Sequence, residues 1–179
     1  MGTDKAFLEF GGQTLLERAL AVMAAACERV TIVGDPAKFA NHGTVVADVF
    51  PGCGPLGGIH AALAHSAAEL NLMVAVDMPF VSAELLAFLF AEAEKNDAMV
   101  AVPRVGKGLQ PLCAVYRRDF AAVAEQALRA GNYKVDAVFS GVSTCVIESS
   151  ELAAAGLSAR SFFNVNTPEE RLTAEHQPS

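Results

Sequence analysis

In Leu72-Met73-Val74-Ala75-Val76-Asp77-Met78-Pro79-Phe80, an unbroken apolar run ends on a carboxylate. A run without polar alternation suits a strand buried on both faces, as in a parallel sheet with helices on either side. Pro79 biases Met78 away from helix, so the strand ends sharply and Asp77 stands at its carboxyl end.

Outward from this strand, helical and extended patterns alternate. Upstream, Ile59 to Leu70 reads as a helix, preceded by a glycine- and proline-rich segment from Asp48 to Gly58. Before that lie a strand at Thr44 to Ala47, a short helix at Ala37 to Asn41 and a strand at Arg29 to Val33. Thr14-Leu15-Leu16-Glu17 has capping-box spacing and opens a helix to about Glu28. Downstream, Ser82 can cap a helix to about Lys95. Strands follow at Ala98 to Val102 and Leu112 to Tyr116, joined by a turn at Gly106-Lys107-Gly108. A helix then stops at Gly131-Asn132. A strand at Thr144 to Glu148 and a short helix from Thr167 complete the pattern, and the polar tail after Leu172 is expected to fray. Strands alternating with helices predict one α/β domain over residues 1–179, with a Rossmann-like, doubly wound, mostly parallel sheet.

Composition narrows the function classes. The net charge of −7 disfavours nucleic-acid binding, which needs a basic face. It leaves small anions open, because backbone N–H groups can hold phosphate. No apolar run reaches membrane-span length, and Asp4, Lys5 and Glu9 interrupt any signal-like start. Ala6 stands where a myristoylation site wants Ser or Thr. Cys27, Cys53, Cys113 and Cys145 form no CxxC pair, which argues against zinc and suits a reducing compartment, hence the cytoplasm. His60 and His65, five apart on one helix, are badly spaced to share a metal. No GxxxxGK[ST] is present, which disfavours a P-loop NTPase.

In doubly wound folds, ligands bind beyond the carboxyl ends of the strands. Four segments are directed there. Asp77 can hold Mg²⁺, which takes oxygen ligands and few protein carboxylates, or can simply cap a turn. Pro51-Gly52-Cys53-Gly54-Pro55-Leu56-Gly57-Gly58 ends at a helix N-terminus that can receive an anion or a base edge, or is a tight strand-to-helix loop. Lys5 can meet triphosphate oxygens as a point charge, or lie on the surface. Asn164 and Asn166, two apart on an extended segment, can bond phosphate or metal-bound water, or organise the following helix.

Together these segments occur in an order that resembles the molybdenum cofactor guanylyltransferases, the MobA-like nucleotidyltransferases. The motifs are Gly2-Thr3-Asp4-Lys5-Ala6, the stretch from Asp48 through Gly52-Cys53-Gly54-Pro55-Leu56 to Ile59, Asp77-Met78-Pro79-Phe80 and Asn164-Val165-Asn166-Thr167-Pro168-Glu169. The resemblance runs from Met1 to about Glu170. It implies a nucleotide-diphospho-sugar-transferase-like form of the fold, and transfer of GMP from GTP to molybdopterin or its molybdenum form, with release of pyrophosphate.

It further implies that Lys5 contacts GTP phosphates and Asp48 helps hold the guanine nucleoside, with Gly54, Pro55 and Leu56 beside it. Asp77 would bind Mg²⁺ and nucleotide, while Asn164 and Asn166 would lie near metal and acceptor phosphate. Lys5 and Asp77 are thus the catalytic candidates. Gln110-Pro111-Leu112 would face the pterin. The implied partners are GTP, molybdopterin and molybdoenzyme maturation proteins.

One departure stands out. The family has an apolar strand and a Leu-Ala-Gly-Gly-x-Ser-x-Arg loop ahead of Met-Gly-x-Asp-Lys, whereas this sequence begins at Met1. The expectation is an N-terminally incomplete domain, a sheet with a gap and weak GTP binding. Two other readings stay open: a nucleotidyltransferase using CTP or a sugar phosphate, and a catalytically inert partner-binding domain.

Overall fold

The computed structural model describes residues 5–165. The chain opens with a 3-10 turn at Lys5–Phe7 and a small antiparallel hairpin, β1 (Glu9–Phe10) and β2 (Gln13–Thr14), turned by Gly11 and Gly12 at positive φ. Helix α1 (Leu15–Ala26) follows, and Thr14 and Glu17 complete the expected capping box. Then come β3 (Thr31–Val33), α2 (Pro36–Phe39), β4 (Thr44–Val46), α3 (Pro55–His65), β5 (Leu70–Val74) and α4 (Ala83–Lys95). The second half holds β6 (Val100–Val105), β7 (Gly108–Leu109), β8 (Cys113–Arg117), α5 (Phe120–Arg129), α6 (Val135–Phe139), β9 (Thr144–Ile147) and α7 (Ser149–Ala154). The helix expected from Thr167 lies outside the described residues.

The expected α/β architecture is present. In the main sheet β5 pairs with β8, β8 with β6, and β6 with β9. The β6–β9 ladder is parallel, whereas β8 runs against both β5 and β6, so β5, β6 and β9 share one direction and β8 opposes them. The β6–β7 hairpin explains the reversal: the chain turns back after Val105, and β8 returns alongside β6. β3 and β4 form a separate two-stranded parallel sheet.

Helices cover both faces of the main sheet. On β8 the side chains alternate between two cores, Ala114 and Tyr116 packing with Leu56, Ile59 and Phe120, and Cys113 and Val115 packing with Leu85 and Leu89.

Two elements near the site differ at both ends from the sequence reading. Helix α3 starts at Pro55 rather than Ile59, because Gly54 supplies the N-cap and Pro55 suits the first helical position. It ends at His65, and β5 then begins at Leu70 instead of Leu72. β5 ends before Asp77, because the chain turns there, with Met78 N–H directed to the Ala75 carbonyl. No helix among the described residues is long and apolar enough to cross a membrane.

Candidate active site

Asp77 lies just past β5 and is 7 % exposed. Its backbone is held from two sides. The Ala75 N–H donates to the Leu112 carbonyl at 2.7 Å, and the Asp77 carbonyl accepts the Val165 N–H at 2.8 Å. Val165 is fully buried among Phe10, Leu15, Val76 and Phe80. That apolar plug draws residue 164 beside residue 77 across about half of the chain length.

The Asp77 carboxylate is asymmetric. Oδ2 accepts a hydrogen bond from Lys5 Nζ at 2.5 Å, whereas Oδ1 is buried without a partner among the described residues. A buried carboxylate oxygen with no donor is costly unless a ligand supplies the missing positive partner. Lys5 reaches Asp77 because its turn is anchored: Ala6 is buried, Phe7 stacks on Phe39 at 5.7 Å, and the Leu8 N–H closes onto the Lys5 carbonyl. The Lys5 side chain is about half exposed, so its ammonium faces both the carboxylate and the cavity.

Asp48 sits at the start of the glycine-rich segment. Its Oδ1 accepts the Phe50 N–H at 2.8 Å and so bends the loop. The carboxylate rests on Gly57, where an added Cβ would stand 3.0 Å from Asp48 Oδ2 and 3.0 Å from the Phe50 carbonyl. Gly54 has φ +66°, a conformation glycine adopts freely, and it offers no side-chain cap to α3. Pro55 carries no N–H and the Gly57 N–H bonds the Gly54 carbonyl at 3.2 Å, so in the first turn of α3 it is the Leu56 N–H that is left to an incoming acceptor.

Lys5, Asp48, Gly54, Pro55 and Asp77 all line one cavity of about 1020 Å³. Leu56 does not join them through its side chain, which is fully buried in the core, so only its backbone remains for a ligand. Asn164 is exposed at the edge of the Asp77 turn, and Asn166 lies outside the described residues. Leu112 reaches the cavity, while the Pro111 carbonyl is tied to the Tyr116 hydroxyl at 2.8 Å. His60 packs edge-on against Phe50, and His65 Nδ1 meets the Ala61 carbonyl. Among the described residues no three His, Cys, Asp or Glu side chains converge on one point. A single buried carboxylate is nevertheless sufficient for Mg²⁺, which keeps waters and phosphate oxygens as its other ligands.

The sequence reading missed Arg18. Its Nη2 donates to the Pro79 carbonyl at 3.1 Å, and its guanidinium lies 5.2 Å over the Phe10 ring. It fastens the Met78-Pro79-Phe80 turn from α1. A lone cation in an otherwise apolar helix face was the available signal.

A family model described as the MobA-like NTP transferase domain matches residues 1–144. The chain belongs to this family. Among MobA-like relatives, the probable molybdenum cofactor guanylyltransferase of Pelotomaculum thermopropionicum is 38% identical over 97% of this chain and 85% of its own length. The molybdenum cofactor guanylyltransferase of Desulfosudis oleivorans is 32% identical over 97% of this chain and 87% of its own. The structure is similar to molybdopterin-guanine dinucleotide biosynthesis protein A from Archaeoglobus fulgidus, with TM-score 0.83, 28% identity, and 97% and 90% of the two chains covered. The fold also matches 2-C-methyl-D-erythritol 4-phosphate cytidylyltransferase from Thermus thermophilus, with TM-score 0.70 and 22% identity over 96% and 92% of the chains.

Proposed function

We propose that this chain transfers GMP from GTP to the phosphate of molybdopterin or its molybdenum form, giving the guanine dinucleotide cofactor and pyrophosphate. One observation carries the reading. A buried carboxylate, half neutralised by Lys5 and half unpartnered, shares a cavity with an uncapped glycine-preceded helix N-terminus. The names of the relatives supply the substrate class.

The residues divide the work by chemistry. Asp48 and the first turn of α3 receive the guanine nucleoside, a carboxylate and the Leu56 amide matching a donor and an acceptor of a base edge. Asp77 would hold Mg²⁺ through Oδ1, and that ion neutralises phosphate charge when bound. Lys5, whose side chain lines the same cavity, would steady the triphosphate and the departing pyrophosphate as a point charge. Asn164 stands beside Asp77 on the acceptor side, with Gln110-Pro111-Leu112 toward the pterin. No protein nucleophile is needed, because an acceptor phosphate oxygen attacks the α-phosphorus in line. Catalysis then rests on positioning and electrostatic preorganisation. Four free cysteines suit a reducing compartment such as the cytoplasm, where molybdoenzyme maturation proteins would receive the product.

The test is pyrophosphate release from a nucleotide panel with molybdopterin and Mg²⁺. GTP is expected to be used in preference to CTP, and Asp77→Asn to lower turnover by about 10²–10³-fold with the fold intact. Equal use of CTP, or an undiminished Asp77→Asn variant, would overturn the assignment.

A further inference from the structure

Arg18 breaks three local rules of the helix that carries it. It stands in the first turn of α1, where the helix dipole favours an anion and disfavours a cation. Its Nε is buried and has no hydrogen-bond partner among the described residues. Its charge forms no ion pair among them either. A methionine there would keep an unbranched stem with none of these costs. Residues that break local rules concentrate where a fold serves a function.

What the guanidinium holds is the turn after Asp77. Its Nη2 donates to the Pro79 carbonyl at 3.1 Å. The turn has few bonds of its own, and they are long. The Met78 N–H reaches the Ala75 carbonyl, and the Val81 N–H the Met78 carbonyl, both at 3.4 Å. Pro79 has no N–H to add, and it is buried, so its carbonyl needs a donor from elsewhere. The neighbouring ring is held through the same group. Arg18 lies 5.2 Å over Phe10, Phe10 meets Phe80 edge-on at 5.4 Å, and Arg160 lies 4.2 Å over Phe80. Arg18 does not line the cavity that Lys5, Asp48 and Asp77 share. Its effect on a ligand there passes through the turn.

We propose that Arg18 is a positioning residue for Asp77. By holding the Pro79 carbonyl it fixes the peptide from which the carboxylate enters the cavity, and with it the affinity of Asp77 for a divalent cation. This role rests on the reading that Asp77 holds that cation.

Calorimetry against Mn²⁺ on the 179-residue chain tests it, with Asp77→Asn as the reference. Arg18→Met keeps an apolar stem and removes the donors. It is expected to bind Mn²⁺ about tenfold more weakly, the worth of one hydrogen bond from a charged donor. Its melting temperature should stay close to the parent's, because loss of the Pro79 bond is offset by removal of the orphaned Nε and of a cation at a helix N-terminus. In pyrophosphate release, kcat should fall while the KM for GTP stays near the parent's, since Asp48 and the Leu56 amide lie on other elements. Chemical rescue is the second arm. A cavity of about 190 Å³ lined by Gln13, Arg18, Met78 and Pro79 leaves room beside the truncated side chain of Arg18→Ala. Guanidinium at millimolar concentration should restore Mn²⁺ affinity to that variant. Urea, planar and similar in size but uncharged, should not. Parent-like Mn²⁺ affinity in Arg18→Met, with binding lost in Asp77→Asn, overturns the proposal and leaves the role of Asp77 standing. Undiminished binding in Asp77→Asn overturns both. Equal rescue by urea also overturns the proposal, since packing rather than a charged donor would then hold the turn. Should Arg18→Met not fold, the Arg18→Ala arm decides alone, and no rescue by guanidinium rejects the role.

Discussion

The two oxygens of Asp77 have different histories in the folded chain, and each can be tested separately. Oδ2 is occupied by the Lys5 ammonium, and Oδ1 is buried and open. Under the proposed function, Lys5 would compete with an incoming divalent cation while serving the triphosphate. Lys5→Met is expected to tighten Mn²⁺ binding at Asp77 by about tenfold, equivalent to about 1.4 kcal/mol, while lowering turnover. Calorimetry against Mn²⁺ reads the first effect and pyrophosphate release the second. Weaker Mn²⁺ binding would show that Lys5 organises the carboxylate instead of competing for it. Gly57 makes a comparable case on the nucleoside side. Gly57→Ala would place a Cβ 3.0 Å from Asp48 Oδ2 and from the Phe50 carbonyl, so the carboxylate must shift. GTP affinity is expected to fall about tenfold, with a lowered melting temperature because the Phe50 backbone must also give. An unchanged affinity in a titration would remove Asp48 from the nucleoside contacts.

At the scale of elements, helix α1 depends on its entry. The Thr14 side chain accepts the Glu17 N–H, and the Glu17 carboxylate accepts the Thr14 N–H at 2.8 Å. Thr14→Ala is expected to cost about 1 kcal/mol in urea unfolding. Hydrogen bonds from the Thr14 backbone, then from its hydroxyl, hold the Glu17 carboxyl below the usual carboxylate range. A depressed folded value contributes stability above the unfolded value, and the contribution fades as pH falls through the folded one. The difference between Thr14→Ala and the parent should therefore narrow in acid. A difference that stays constant to low pH would show that the Glu17 arm of the box is idle. The capping box was legible because it is local, set by residues three apart. The start of α3 was less so. Its apolar period begins at Ile59, but Gly54 and Pro55 open the helix earlier, and their effect on the backbone is not periodic.

Across the whole molecule, burial separates the cysteines. Cys113 sits fully buried in β8 between the two helix layers, and burial pushes its thiol up to about 12. Cys27, Cys53 and Cys145 are only partly buried. Native protein is expected to show reaction with Ellman's reagent at those three and none at Cys113 until urea unfolds the sheet. Early labelling of Cys113, read by mass spectrometry, would mean that the β5–β8–β6 layer opens well below the global transition. The same layer explains why strand direction escaped the sequence. An apolar run such as residues 112–116 reads alike in either direction. The turn at residues 106–108, which pairs Arg104 with Leu109, is what sends β8 back against β6.

The amino-acid sequence alone determined the α/β alternation, the strand that delivers Asp77 and the glycine-rich entry to α3. Each depends on period or on local backbone chemistry, which act over a few residues. Only the tertiary structure decided that Lys5 closes on Asp77 across 72 positions, that Val165 pins the Asp77 turn, and that Leu56 is core while Gly54 and Pro55 face the cavity. Such pairings are set by packing between distant segments, and packing leaves no period in the chain.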